Sequence, residues 1–172
     1  FLNIESKKSK INLLEELKDD LCKEFNIKTK SLYSNKKKSI DLTSSPIEIL
    51  SPQKLIIQIG RNMRQNDLIS FKLSKKGDLW FHSQECPGSH VILKSSAKEA
   101  DDNDIQLAAD IASFFSRAKE NIKVPISCVK IKDLQKIKNS GMGCVSFKHQ
   151  EIIWGNPTRG KEYMKKNTHF KN

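Results

Sequence analysis

The 172-residue chain predicts an α+β fold: a largely antiparallel β-sheet covered by one main helix, preceded by an amphipathic, coiled-coil-like helix. Three observations carry this expectation. Short β-branched and apolar runs recur between Leu55 and Trp154, broken by Gly, Pro and Asp turn signals. One long helical pattern, "IQLAADIASFFSRAK" from Ile105, interrupts them. A separate helical pattern stands at the N-terminus, divided from the rest by an aperiodic stretch rich in lysine and serine.

In the N-terminal segment Ile4, Ile11, Leu14, Leu17, Leu21 and Phe25 recur at helical spacing with charged residues between them. Residues 1–27 therefore read as the end of a coiled coil or a similar amphipathic helix. Residues 28–51 read as a Lys/Ser-rich linker, with a domain boundary near residue 45. Residues 52–160 form the main domain, and residues 161–172 a basic tail expected to be mobile.

Within the main domain "LIIQIG" from Leu55 is a short strand ended by glycine. "DLISFKL" alternates Ile69, Phe71 and Leu73 against Leu68, Ser70 and Lys72, the period of a half-buried strand. Between them "GRNMRQND" is a polar loop. "KKGD" and Pro87-Gly88 are turns on either side of "LWFHSQ", and "SHVILK" leaves the second turn as another strand. "DDND" supplies a helix cap ahead of Ile105, and that helix has an apolar face wide enough to lie on a sheet. Val124 to Ile131, "CVSF" at 144–147 and "EIIW" at 151–154 read as three further strands.

The net charge is +11, and residues 130–172 hold ten lysines and arginines against three acids. Such a balance makes polyanions natural partners, because neutralising phosphates releases counterions. The sequence has no run of about eighteen apolar residues and begins with Phe1, so we expect neither a membrane span nor a signal peptide, and a piece of a longer chain. Cys22, Cys86, Cys128 and Cys144 lie far apart with no C-x-x-C pair, as reduced thiols of a cytoplasmic protein would.

The stretch "DLWFHSQECPGSHVIL" at 78–93 holds the residues most suggestive of chemistry. His82, Cys86 and His90 are spaced by four, but Pro87-Gly88 inside the span forbids one helix face, and no fourth metal ligand lies nearby. If the segment is a hairpin, His82 and His90 leave the turn on opposite strands and can face each other. A hydrolase would use Ser89 with His90 or His82 as base and Asp78 as orienting group. Neighbouring strand residues point to opposite faces, however, and "PGSH" is not the elbow of a G-x-S-x-G nucleophile. Structural roles account for the histidines more simply, and Trp80, Phe71 and Phe81 read as core.

"GRNMRQNDLISFKLSKKGDLWFHSQECPGSHVIL", then "AADIASFFSRAK" and "SGMGCVSFKHQEIIWGNP", resembles the NFACT-R domain, the RNA-binding domain of the NFACT family. That family includes the RqcH and NEMF types of ribosome-associated quality-control factor. The resemblance spans roughly residues 52–160, and the preceding helix is similar to the end of the family's coiled-coil arm. It implies a non-catalytic module, with no metal, no cofactor and no membrane. Its implied partners are the rRNA of an obstructed large ribosomal subunit, tRNA, and the N-terminal domain of the same full-length protein. The implied process is untemplated C-terminal tailing of stalled nascent chains.

Carried over by position, the candidate RNA-binding residues are Arg61, Asn62, Gln65, Asn66 and Asp67 in the first motif, and His82, Ser89 and His90 in the second. Gly60, Asp78, Trp80, Phe81, Pro87 and Gly88 complete the motifs as structural members. Arg61 and Arg64 suit phosphates, while Asn62, Gln65 and Asn66 suit base edges or 2′-hydroxyls. Lys130, Lys132, Lys136, Lys138, Arg159 and Lys161, with Lys165 and Lys166, would add sequence-independent attraction. Met63 departs from a polar expectation for this loop. The alternatives are a metal-dependent or Ser/His hydrolase built on His82, Cys86 and His90, or a fibronectin-binding-like adhesion module.

Overall fold

A computed structural model describes residues 45–138 and 141–167. The expected coiled-coil helix and most of the linker lie outside the described residues. Six strands form one antiparallel sheet: β1 (Ile47–Leu50), β2 (Ile56–Ile59), β3 (Leu79–Ser83), β4 (Val91–Leu93), β5 (Val124–Lys130) and β8 (Glu151–Gly155). Their spatial order is β1-β2-β4-β3-β5-β8, and a separate two-stranded hairpin joins β6 (Leu134–Lys136) to β7 (Val145–Phe147). The helices are α1 (Met63–Asp67), α2 (Asp102–Phe114) and α3 (Pro157–Asn167).

The alternating pattern of the strands sorts two cores onto the two faces of the sheet. On one face Ile57, Ile59, Phe81, Val91, Leu93 and Ile126 meet Leu107, Ala108, Ile111 and Ala112 of α2, together with Met164 of α3. The small alanines of α2 let it lie close to the sheet. Asp101 caps α2 through a reciprocal bond with Asp104, so the acids ahead of Ile105 do start that helix. On the opposite face Trp80, Ile92 and Val129 pack against Ile69, Leu134 and the partly buried Phe71 and Phe147.

Three local expectations change. "DLISFKL" is not a strand: α1 runs directly into a single π-helical turn, Leu68–Lys72, closed by Leu73 N–H donating to the Leu68 carbonyl at 3.0 Å. The Asn62 side chain accepts from Gln65 N–H at 2.9 Å and starts a helix, which carries Ile69 and Phe71 onto the second face of the sheet. An apolar residue at every second position satisfies a packed turn as well as a strand. Residues 47–50, expected as linker, form edge strand β1, paired Ile47↔Ile59 through Leu50↔Ile56. Residues 161–167, expected as tail, continue α3 onto α2. The main helix thus has a companion, and the sheet is covered on both faces.

Two ionic anchors fix this arrangement. Asp110 on α2 is buried; it accepts two hydrogen bonds from the Arg159 guanidinium (2.8 and 2.9 Å) and one from Asn156 N–H (2.7 Å). Asp78 is fully buried and accepts from Lys75 N–H, Ser96 N–H and the Lys94 ammonium, tying the turn before β3 to the end of β4.

Candidate nucleic-acid interface

The first motif is a small frame with two arginines on its outside. Gly60 comes so close to Asn66 that a Cβ there would lie 2.1 Å from Asn66 Oδ1. That oxygen accepts from the backbone N–H of His90 at 3.1 Å, and the His90 carbonyl accepts in turn from Gly60 N–H at 3.0 Å. Gln65 Oε1 accepts from Arg61 N–H at 2.8 Å. Asp67 accepts from Gly143 N–H at 2.7 Å and pairs with Lys136, fastening the β6–β7 hairpin to the end of α1.

Gln65 and Asn66, expected at base edges, are buried, and their side-chain oxygens frame the loop from within the fold. Arg61, Asn62 and Arg64 remain exposed, as does Met63 at 62%. One Arg61 Nη donates to the Ser45 carbonyl, and its charge still faces solvent.

The second motif sets the two histidines face to edge. Strands β3 and β4 pair Trp80↔Ile92 and Phe81↔Val91, which places His82 and His90 next along the same face. Their ring centroids are 5.4 Å apart, Trp80 stacks on His82 at 5.6 Å, and Trp80 meets His90 edge-on at 5.1 Å. Burial lowers the pKa of His82. Burial, reinforced by the neighbouring His82, takes that of His90 down to about 4. Both imidazoles are therefore neutral near pH 7. Burial would raise the Asp67 carboxyl, but Lys136 and Gly143 N–H outweigh it and hold the group below the usual carboxylate range.

The arrangement does not assemble the hydrolase or metal site weighed from the sequence. His90 Nδ1 lies 2.8 Å from the hydroxyl of Ser70, and both residues are buried. The hydroxyl that meets an imidazole is therefore that of Ser70, and among the described residues no hydrogen bond joins Ser89 Oγ to His82 or His90. Among the described residues no three His, Cys, Asp or Glu side chains converge as a metal site would require. The chain bends at Gln84–Cys86, with Glu85 at φ 54°, rather than at Pro87-Gly88 as expected; Gly88 bridges to Ser116 just past α2, and a Cβ on it would meet Ser83 Oγ of β3 at 2.7 Å.

A cavity of about 440 Å³ opens over these rings, walled by Trp80, His82, His90, Phe147, Ser127 and Gln150 among others. Sequence reasoning missed Phe147 and Gln150 here, because the β6–β7 hairpin folds over the sheet from about sixty residues downstream of β3. It also missed Trp154, which lies on the same sheet face as Ser127 and Ile152 by register and is 57% exposed. An alternation count marks "EIIW" as a strand, and only the pairing shows that Trp154 faces solvent.

The basic residues divide similarly. Lys130, Lys132, Lys138, Lys161, Lys165 and Lys166 are exposed. Lys136 is paired with Asp67, and Arg159 is committed to Asp110, so their first use is structural.

Residues 47–149 match the family model described as the NFACT protein RNA binding domain. The chain belongs to this family. The chain is 32% identical over 149 residues to a "Rqc2 homolog RqcH" of Streptococcus suis (strain 05ZYH33), covering 86% of the chain and 26% of that relative. It is 36% identical over 107 residues to the Rqc2 homolog RqcH of Bacillus subtilis (strain 168), covering 62% of the chain and 18% of that relative. The chain thus spans about a quarter or less of these relatives. A solved structure, the C-terminal part of the fibronectin/fibrinogen-binding protein from Streptococcus suis, aligns with a TM-score of 0.68 and 30% identity over 83% of this chain and 59% of that one. The NFACT match ends at residue 149, so β8 with Trp154 and helix α3 lie beyond it. Among the described residues no helix is long and apolar enough to cross a membrane.

Proposed function

We propose that this chain is the RNA-holding module of a ribosome-associated quality-control factor, working in the cytoplasm. In that reading it helps a longer protein grip an obstructed large ribosomal subunit and tRNA while the stalled nascent chain receives an untemplated C-terminal tail. Bond formation belongs to the ribosome, and this module positions RNA without acid, base or metal chemistry of its own. The observation that carries the reading is the exposure of Arg61, just ahead of the Asn62 cap, and of Arg64 on α1, where the neighbouring polar side chains are bonded within the fold. Guanidinium groups on a rigid support are suited to phosphates, and the charge of +11 supplies the long-range attraction.

The test is binding of tRNA and of large ribosomal subunits over a salt series. Arg61→Ala with Arg64→Ala should weaken binding and flatten the dependence of log K on log salt by roughly 1–2, about one phosphate contact per arginine. A folded double variant with unchanged affinity and slope would refute the assignment. The fibronectin/fibrinogen-binding description of the Streptococcus suis relative makes fibronectin the control ligand. Binding to it alone would favour the adhesion reading.

A further inference from the structure

The cavity over the histidine pair has properties that phosphate attraction does not explain. Its walls are rings: Trp80, His82 and Phe147, with Trp80 and Phe147 centroids 5.8 Å apart. Trp80 is 1% exposed, and its indole N–H is buried with no hydrogen-bond partner among the described residues. A buried donor left unmade costs on the order of 1–3 kcal/mol, so such groups usually mark a missing acceptor. The site carries no fixed positive charge, because both imidazoles are neutral at pH 7. At its mouth Gln84 Nε2 and Gln150 Oε1 lie 3.5 Å apart, a weakly held amide pair with donors and acceptors to offer. The volume of about 440 Å³ falls within the roughly 300–1,000 Å³ of small-ligand pockets.

We propose that this cavity takes a single unstacked RNA base, with a carbonyl or ring nitrogen of the base accepting from Trp80 N–H and its face against Phe147 and His82. The proposal rests on the RNA-binding reading and adds to it a place where a base, rather than a phosphate, is held. A ring-lined pocket without a cation, with the exposed Glu85 among its walls, disfavours a phosphate and accepts a planar heterocycle. The exposed cations lie outside it: Met63, the first residue of α1, stands between Arg61 and Arg64 in sequence and sits against Gly143, which is itself a cavity wall. A strand whose backbone follows those cations can therefore drop one base inward. Trp154 offers its neighbouring base an open stacking surface on the same sheet face.

The experiment compares this chain's affinity for single-stranded RNA of about eight nucleotides with that for an abasic sugar-phosphate strand of equal charge, by fluorescence anisotropy. Strands of A, C and U are used in turn. Base-bearing strands should bind about tenfold or more tightly than the abasic strand, the scale of one stacked and hydrogen-bonded base. Phe147→Ala should lower that ratio several-fold, to what stacking on Trp154 leaves, while leaving abasic binding unchanged. Trp80→Phe keeps an aromatic ring but removes the N–H together with the pyrrole half of the indole, so it should lower the ratio in part, with circular dichroism confirming the fold of both variants. Equal affinity for base-bearing and abasic strands would overturn the pocket while leaving phosphate-driven RNA binding intact. A ratio lost in Trp154→Ala but kept in Phe147→Ala and Trp80→Phe would move base recognition to the open sheet and overturn it as well. No binding of either strand at low salt would instead refute the RNA-binding reading itself.

Discussion

Asn66→Ala separates the frame of the first motif from the residues it presents. Asn66 Oδ1 accepts from the buried N–H of His90 at 3.1 Å, inside a structure where Asn66 itself is 8% exposed. Alanine leaves that N–H without an acceptor, which costs about 1–3 kcal/mol, and removes packing against Gly60. We expect about 2–3 kcal/mol, or roughly 8–12 °C in Tm at about 4 °C per kcal/mol for a domain of this size. Gly60→Ala attacks the same contact from the other side. Its Cβ would lie 2.1 Å from Asn66 Oδ1 but also 2.9 and 3.1 Å from the Asn66 backbone N and Cα, which cannot swing away. Overpacking of this kind costs about 1–3 kcal/mol.

The pair is a double-mutant cycle. In the Asn66→Ala background the side-chain clash is gone and the backbone clash remains, so the double variant should cost less than the two single changes together by about 1 kcal/mol. Urea denaturation measures all four chains, with unchanged m-values showing that the unfolded states are comparable. At low temperature, where the variants are folded, tRNA affinity should keep its salt slope. A loss below about 0.5 kcal/mol in Asn66→Ala, the scatter of ordinary surface substitutions, would refute the framing role. A lost salt slope in the folded variant would show that Asn66 itself touches RNA.

The other expectations concern the histidine pair and the second helix layer. His90 has a folded pKa of about 4 against 6.5 unfolded, so the unfolded state binds the extra proton between those values. Its contribution is fully present above pH 6.5 and is lost as pH falls toward 4, by roughly 3 kcal/mol at most at 1.36 kcal/mol per unit. Urea midpoints from pH 7.5 to 4 should fall accordingly, and His90→Gln should flatten the curve; an unchanged curve would mean that the ring is not buried as described. Gly160→Ala places a Cβ 2.3 Å from the Asp110 carbonyl oxygen and should pry α3 from α2. Hydrogen exchange should then show α3 losing protection while β3 and β5 keep theirs, and uniform loss would contradict a separable layer.

What was legible in the sequence followed from strong local signals. The Asp101 cap and the alanine-rich face of α2 are local chemistry, and each is found where the pattern puts it. The facing of His82 and His90 also follows from a hairpin and a period of two. What was not legible depended on long-range company. Ile69 and Phe71 alternate like a strand, but the sheet gives them a face to pack on, and the Asn62 cap supplies a helix to deliver them. The "IEIL" of β1 is too short to declare itself until β2 pairs with it. Helix α3 is mostly polar, and it folds because Gly160, Met164 and Arg159 each have a made-to-fit place on α2. Cavity walls 147 and 150 reach the histidines only through the hairpin that Asp67 pins.

The same contrast explains why a run that looks like a set of RNA contacts is mostly a support. Six of the eight residues in "GRNMRQND" are polar enough to touch RNA, yet a flexible loop carrying them would pay ordering entropy for every side chain it fixed on binding. Here Asn62 caps α1, Gln65 holds the Arg61 backbone, Asn66 holds His90, and Asp67 holds Gly143 and Lys136. The ordering is done on folding, so in the proposed reading Arg61 and Arg64 would meet phosphate from a backbone already in place. Loss of a framing residue should therefore appear first as lost stability and only then as lost affinity, in proportion to the unfolded fraction. Loss of an arginine should appear as a reduced salt slope with stability untouched. The two classes of variant thus occupy different quadrants of a plot of stability against salt slope. A residue's quadrant assigns its role without knowledge of which RNA is bound.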